Sequence, residues 1–207
     1  MKLPRFLSLA VAITGLNILL IQALPKFVAD QEMSAQEKTM MDQMAKYGTP
    51  TKGHEFLKKF VGDWDVAITA WSAPGAPPQV SKGAMKNQLI FDGRYVKCDF
   101  EGMMGGMAFK GLQVIGYDLF KKMYTTFWID SMSTSFLTTS GTVDMTGNVL
   151  TETGTSPDPM TDGKTMQKYK DVTTFMPDGT YRFQMFMVMP DGKEIKSIEL
   201  VCTRKMM

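Results

Sequence analysis

Acidic residues two positions apart are the first candidates for chemistry in this sequence. Asp63 and Asp65 form one such pair, and Asp99 and Glu101 form another. In a β-strand both carboxylates of a pair lie on one face, where they could act as general acid and base. On an outward face such pairs are ordinarily solvated charges, and no nucleophile, phosphate-loop or dinucleotide motif accompanies them. The sequence therefore assigns no catalytic residue and leaves an enzymatic activity open but unsupported.

Metal and haem sites need suitable ligand side chains, and this sequence offers few. His54 is the only histidine, and Cys98 and Cys202, outside any Cys-x-x-Cys motif, are the only cysteines. A zinc site needs several ligands close together, so we predict a capping or packing role for His54 and no cofactor. For the two cysteines, a disulfide and a pair of buried free thiols are both consistent with the sequence.

The 20 methionines allow one further metal hypothesis. Thioethers are soft ligands that could hold Cu(I) in an oxidising compartment. Flexible methionines that line an irregular interior explain the same pattern without a metal, so Cu(I) binding stays an alternative and no metal ligand is assigned. The methionines concerned are Met103, Met104 and Met107 around a glycine pair, and Met185, Met187 and Met189 on one strand face.

Arg94 is the candidate for binding an acidic group. It has the same alternation phase as Cys98 and Phe100, which predicts a position at one end of an inward strand face. An arginine at a cavity mouth can bind a carboxylate with two hydrogen bonds, although an arginine just after a hairpin turn is commonly solvated. The predicted ligand contacts are Arg94, Cys98, Phe100, Met107, Tyr117, Tyr124, Phe127, Trp128, Met185 and Met187.

The period of two that is typical of β-strands runs from Asp63 to the end of the chain. Turn residues recur about every ten to twelve positions, and Asp92-Gly93, Asp178-Gly179 and Asp191-Gly192 are strong hairpin signals. We expect about ten short strands with no helix between them, which requires antiparallel pairing. Closing the sheet removes both of its edges. The predicted fold is therefore all-β, an antiparallel meander β-barrel of about ten strands.

The alternation also groups residues that should share the apolar face of each strand. For two central strands these groups are Ala108, Leu112 and Val114, and then Met123, Thr125, Phe127 and Ile129.

Residues 1–23 have the layout of a secretory signal. Lys2 and Arg5 precede an apolar stretch that ends at Ile21 and is shorter than the roughly 20 residues that span a bilayer. We predict export to the periplasm or the extracellular space, with cleavage after Ala23. The alternative is an uncleaved membrane tether through residues 6–21. Residues 24–52 are expected to form a helical leader or linker, in which residues 30–48 form a short amphipathic helix or a mobile leader, and residues 53–207 are expected to form the barrel domain.

The charge balance argues against nucleic acid as a partner. The chain has 23 basic and 21 acidic residues, and without Lys2 and Arg5 the basic count also falls to 21. No basic stripe remains to contact phosphates. The sequence leaves the oligomeric state open.

Several motifs resemble one bacterial family, the domain of unknown function 1579. The motifs are GDWD, FDGRYVKCDFEGMMGGMAFKGLQVIGYD, YTTFWID and VCTRK, in this order. The family is calycin-like and has no settled activity, so the resemblance implies a calycin barrel and transfers no catalytic residue. Gly62 and Trp64 also resemble the lipocalin and calycin signature at the start of the first strand. That likeness implies that Trp64 closes one barrel end and packs beneath Arg204.

Two classes of function suit such a barrel. In the first, a small apolar or amphipathic ligand binds in the barrel interior; in the second, the core is filled and the outer surface or the N-terminal helix engages a protein partner. A connected cavity larger than roughly 300 Å³ favours the first class. Polar groups that converge on one concave spot would favour an enzyme.

Overall fold

The computed structural model describes residues 33–205, and the chain divides into two units, Met1–Ala45 and Lys46–Met207. The predicted signal segment, residues 1–23, lies outside the described residues, so export and tethering stay predictions. Across residues 33–205, no helix is both long and apolar enough to span a membrane.

Helix α1 (Ala35–Gly48) begins five residues after the start of the helix predicted over residues 30–48. Its start is set by reciprocal hydrogen bonds between Ser34 and Glu37. The Glu37 carboxylate accepts from the Ser34 backbone N–H at 2.8 Å, and the Ser34 hydroxyl accepts from the Glu37 N–H at 3.2 Å. This capping box supplies partners for N–H groups that a helix leaves free at its first turn.

Ten strands form a closed antiparallel barrel in which every strand pairs with its neighbours in sequence and β10 also pairs with β1. The barrel confirms the predicted all-β meander, and it follows from tight turns that leave no room for crossover helices. The strands are β1 (Gly62–Ala70), β2 (Gln79–Ile90), β3 (Tyr95–Met104), β4 (Met107–Asp118), β5 (Met123–Asp130), β6 (Leu137–Val143), β7 (Val149–Pro157), β8 (Met166–Phe175), β9 (Tyr181–Val188) and β10 (Glu194–Arg204).

The two ends of the barrel differ. Because neighbouring strands run in opposite directions, the start of β1 and the turns at 91–94, 119–122, 144–148 and 176–180 lie at one end, here called the closed end. The segments 71–78, 105–106, 131–136, 158–165 and 189–193 lie at the other, here called the loop end.

A helical segment fills the closed end. Helix α2 (Lys52–Glu55) continues into a 3-10 helix (Phe56–Phe60), which places Phe56, Leu57 and Phe60 in the core. The Phe60 carbonyl accepts hydrogen bonds from the Trp64 indole N–H at 2.8 Å and from the Asn87 side-chain amide at 3.0 Å. The helical turn that precedes β1 is therefore fixed to strands β1 and β2 at the closed end.

Trp64 and Arg204 meet at this closed end as the lipocalin-like signature implied. Arg204 lies over the Trp64 ring, and its Nη1 donates to the Val61 carbonyl at 2.7 Å. Gly62 has a φ of 133°, and a side chain there would meet the Arg204 guanidinium. Glycine thus permits both the backbone conformation and the close approach.

The predicted apolar faces of β4 and β5 are wrong by one residue. Phe109 and Ile115 point into the barrel from β4, and Tyr124, Thr126 and Trp128 point into it from β5. The residues predicted to face inward, which include Leu112 and Val114 on β4 and Phe127 and Ile129 on β5, lie on the outer face instead. Both faces of these strands carry large apolar residues, and Val114 pairs with Phe127 on the outside. Hydrophobicity alone therefore could not choose between the two phases.

Candidate functional site

A cavity of about 370 Å³ lies inside the barrel, and all ten strands contribute to its lining. It extends from Phe60 and Tyr181 near the closed end to the loop 131–136 at the loop end. In that loop Met132 is 52% exposed and Phe136 is 64% exposed, although both line the cavity. The mouth of the cavity therefore lies beside the loop that joins β5 to β6.

Aromatic rings form one wall of the cavity. Phe100, Phe109 and Trp128 pack together, with ring centroids 5.7 to 6.3 Å apart. The Trp128 indole lies over Gly111, where an added Cβ would overlap the ring. Its N–H donates to Asp130 at 2.9 Å. These contacts fix the indole ring against the barrel wall.

A second wall carries two buried carboxyl groups, Glu152 on β7 and Asp171 on β8. They are direct partners in the β7–β8 register, and only 5% and 6% of their respective surfaces are exposed. The Thr126 hydroxyl donates to the Glu152 carboxyl, with oxygens at 2.9 and 3.0 Å. Asp171 Oδ1 has no hydrogen-bond partner among the residues that the structure describes. An unpaired polar atom that faces a cavity is suited to accept a hydrogen bond from a ligand.

Burial changes the acidity of both groups. Burial raises the pKa of Glu152 to about 7, against the opposing effect of the hydrogen bond from Thr126. Burial and, to a smaller extent, the charge of Glu152 raise the pKa of Asp171 to about 7. Two carboxylates this close disfavour each other's ionisation, so the pair retains bound protons near neutral pH. Perturbed acids in a cavity are a common mark of a functional site.

Three of the predicted ligand contacts line the cavity: Phe100, Trp128 and Met185. Cys98 and Tyr124 are buried below it, and the Tyr124 hydroxyl donates to the Gly53 carbonyl at 2.8 Å. Met187 is half-buried and does not line the cavity, and Met107 is exposed at the β3–β4 turn. Tyr117 and Phe127 border a separate concavity of about 420 Å³ on the outer wall.

Arg94 lies at the closed end, so the predicted carboxylate site at the cavity mouth is wrong. Its Nε donates to the Gly48 carbonyl at 2.8 Å, and its Nη1 donates to the Phe91 carbonyl at 2.9 Å. The guanidinium thus binds backbone outside the cavity. The alternation pattern predicted that Arg94 lies at one end of β3, which is where it lies. The pattern could not indicate which end of the barrel has the cavity mouth.

The remaining candidate ligands are packing residues. His54 is buried, and its Nδ1 accepts from the Thr51 backbone N–H at 2.9 Å, a capping contact. Cys98 and Cys202 are buried free thiols. Within residues 33–205, no group of three or more histidine, cysteine and acidic side chains is arranged to hold a metal ion. One methionine of each predicted set, Met104 and Met185, lines the cavity, whereas Met107 and Met189 are exposed.

Comparison with known proteins finds similarity at the level of family and fold. A family model described as a protein of unknown function (DUF1579) matches residues 49–204. No curated protein matches the chain. Among solved structures, the S-type phycobiliprotein lyase CPES from Guillardia theta is similar, with a TM-score of 0.50 and 12% identity. The match covers 76% of this chain and 94% of that one, and at this identity it shows a shared fold alone.

Proposed function

This chain belongs to the DUF1579 family, and we propose that it binds a small apolar or amphipathic molecule inside its barrel. The observation that carries the proposal is the cavity of about 370 Å³ lined by all ten strands. Small-molecule pockets have volumes of roughly 300 to 1,000 Å³. The solved structure with a similar fold is named a phycobiliprotein lyase, which is in keeping with a barrel that handles a small molecule.

The lining also has the composition that ligand pockets show. Most of the wall is apolar, and five of its polar side chains, Thr126, Thr139, Glu152, Asp171 and Thr173, come from the adjacent strands β5 to β8. Pockets of this kind bury the apolar part of a ligand and orient it with a few polar groups. A barrel that served only as a scaffold for partner proteins would gain stability from a filled interior, because cavities cost packing energy.

Titration with 1-decanol, a neutral amphipathic probe, tests interior binding. Ile198 and Val201 lie on β10 with opposite orientations, since Ile198 lines the cavity and Val201 is out of phase with it. We expect Ile198→Phe to fill the cavity and weaken decanol binding at least tenfold in isothermal titration calorimetry. Val201→Phe, the matched control on the outer face, should keep the wild-type affinity. Equal losses of decanol binding in both variants would contradict interior binding.

Native mass spectrometry of protein purified from its own host would identify the natural ligand. We expect an added mass of small-molecule size on the wild type and its loss in Ile198→Phe.

A further inference from the structure

We propose that Glu152 and Asp171 form a subsite for a protonated amine, so that the ligand is an apolar molecule with one cationic amine head. This inference rests on the proposed interior binding and specifies the chemistry of the head group. The two side chains come from neighbouring strands, face the same cavity and are more than nine-tenths buried.

The hydrogen-bonding state of the pair points to a donor ligand. Glu152 is partnered by Thr126, but Asp171 Oδ1 is left without a partner in the described part of the chain. A buried carboxyl oxygen without a donor costs free energy that a ligand can recover. A primary ammonium has three N–H donors and no acceptor, so it can bond to both carboxyls at once.

The charge of the cavity points to a cation. No lysine, arginine or histidine is found among its lining residues within positions 33–205, whereas three carboxyl groups are. The third, Asp130, is already engaged, because it accepts from the Trp128 indole at 2.9 Å and from the Met132 backbone N–H at 2.9 Å. Glu152 and Asp171 are therefore the acidic groups left to bind a ligand. An anionic head would find no cationic partner among these lining residues.

The raised pKa values of the two carboxyl groups fit the same role. Besides Asp130, the titratable side chains that share the lining with the pair are Tyr169 and Tyr181. Neither tyrosine supplies a positive charge, so burial holds protons on the carboxyls. A bound ammonium would favour the ionised carboxylate and displace a proton. Binding of an amine should therefore be accompanied by proton release near pH 7.

The apolar part of the ligand has its own surface. Phe100, Phe109 and Trp128 stand on β3 to β5, whereas the two acids stand on β7 and β8. A chain anchored at the acids can lie along these rings and continue toward Met132 at the mouth. The arrangement fits an amphiphile that enters with its charged head first.

Three probes with one chain length test the head-group preference: decylamine, 1-decanol and decanoate, titrated at pH 7.5. We expect the wild type to bind decylamine at least tenfold more tightly than decanol, and decanoate most weakly. Asp171→Asn and Glu152→Gln, both isosteric, should each weaken decylamine at least tenfold and change decanol less than threefold. Glu101→Gln is the control, since Glu101 is an exposed acid paired with Lys110 at 3.1 Å.

The outcomes separate the two proposals. Decanol binding without a preference for decylamine would overturn the amine subsite and leave interior binding intact. Failure of all three probes would overturn interior binding itself. Equal losses of decylamine and decanol in the two isosteric variants would also refute the subsite. The comparison of head groups on the wild type needs no variant, so it stands even if a substitution prevents folding.

Discussion

The guanidinium carbon of Arg204 lies 4.3 Å from the centroid of the Trp64 ring, and the two residues are direct partners between β10 and β1. The contact joins the first and last strands at the closed end. Because the same arginine also donates to Val61, it ties the ring, the strand pair and the preceding turn together.

We expect Arg204→Ala to lower the free energy of unfolding by about 1 to 3 kcal/mol, because it removes a cation–π contact and a charged hydrogen bond. Urea denaturation measures the change. Arg182→Ala, on an exposed site of β9, is the control and should change stability by less than about 0.5 kcal/mol. Equal effects of the two substitutions would show that Arg204 has no special role in closing the barrel.

The buried acids should make stability depend on pH. Their pKa values are about 7 in the folded protein, above the ordinary values of unfolded carboxyls, so the folded state binds more protons between about pH 4 and 7. Their contribution to stability is therefore present at acid pH and is lost as pH rises through about 7.

Asp171→Asn isolates this effect, because an amide cannot ionise. Between pH 5 and pH 8 we expect the variant to gain on the order of 3 kcal/mol relative to the wild type. Urea denaturation at several pH values gives the difference, and Glu101→Gln, the same kind of change at an exposed acid, is measured alongside for comparison. A difference that stays constant with pH would mean that Asp171 is ionised in the folded protein throughout.

Gly111→Ala should disturb the cavity wall, because the added methyl group would overlap the Trp128 ring. We expect a loss of about 1 to 3 kcal/mol in unfolding free energy and a changed near-ultraviolet circular dichroism spectrum. Gly48→Ala is the matched control, since a Cβ there would contact no other residue. Unchanged stability in Gly111→Ala would place the indole elsewhere.

The two thiols should be inert in the folded protein. Burial raises the pKa of Cys98 and raises that of Cys202 to about 12. We expect no labelling by Ellman's reagent within minutes at pH 8 and two equivalents after unfolding in guanidinium chloride. A reductant should leave the urea midpoint unchanged, and a reductant-dependent shift would reveal a disulfide.

The fold could be predicted because its signals are local. Tight turns such as Asp178-Gly179 set the length of each hairpin, and their number leaves an antiparallel meander. Trp64 and Arg204 were found through a signature that fixes both ends of the domain. The phase of β4 and β5 could not be found in this way, because Val114 and Phe127 make the outer face as apolar as the inner one.

Sequence reasoning missed the acidic pair for a different reason. Glu152 is surrounded in sequence by threonines and a glycine, so both faces of this strand are polar and the pattern does not indicate which one is buried. Asp171 is separated from it by a long loop, so their pairing depends on the β7–β8 register. One available signal was the alternation that links Glu152 with Leu150, a residue that is 1% exposed.

Pairing of β1 with β10 also means that the barrel has no privileged starting strand. Trp64 and Arg204 are direct partners, so a flexible peptide could connect residue 205 to Lys52 and keep the helical segment that fills the closed end, and new termini could be opened in the segment 158–165. Such a circular permutant would keep every strand pair while making β10 and β1 neighbours in sequence. The order in which strands assemble would change, although the finished barrel would not.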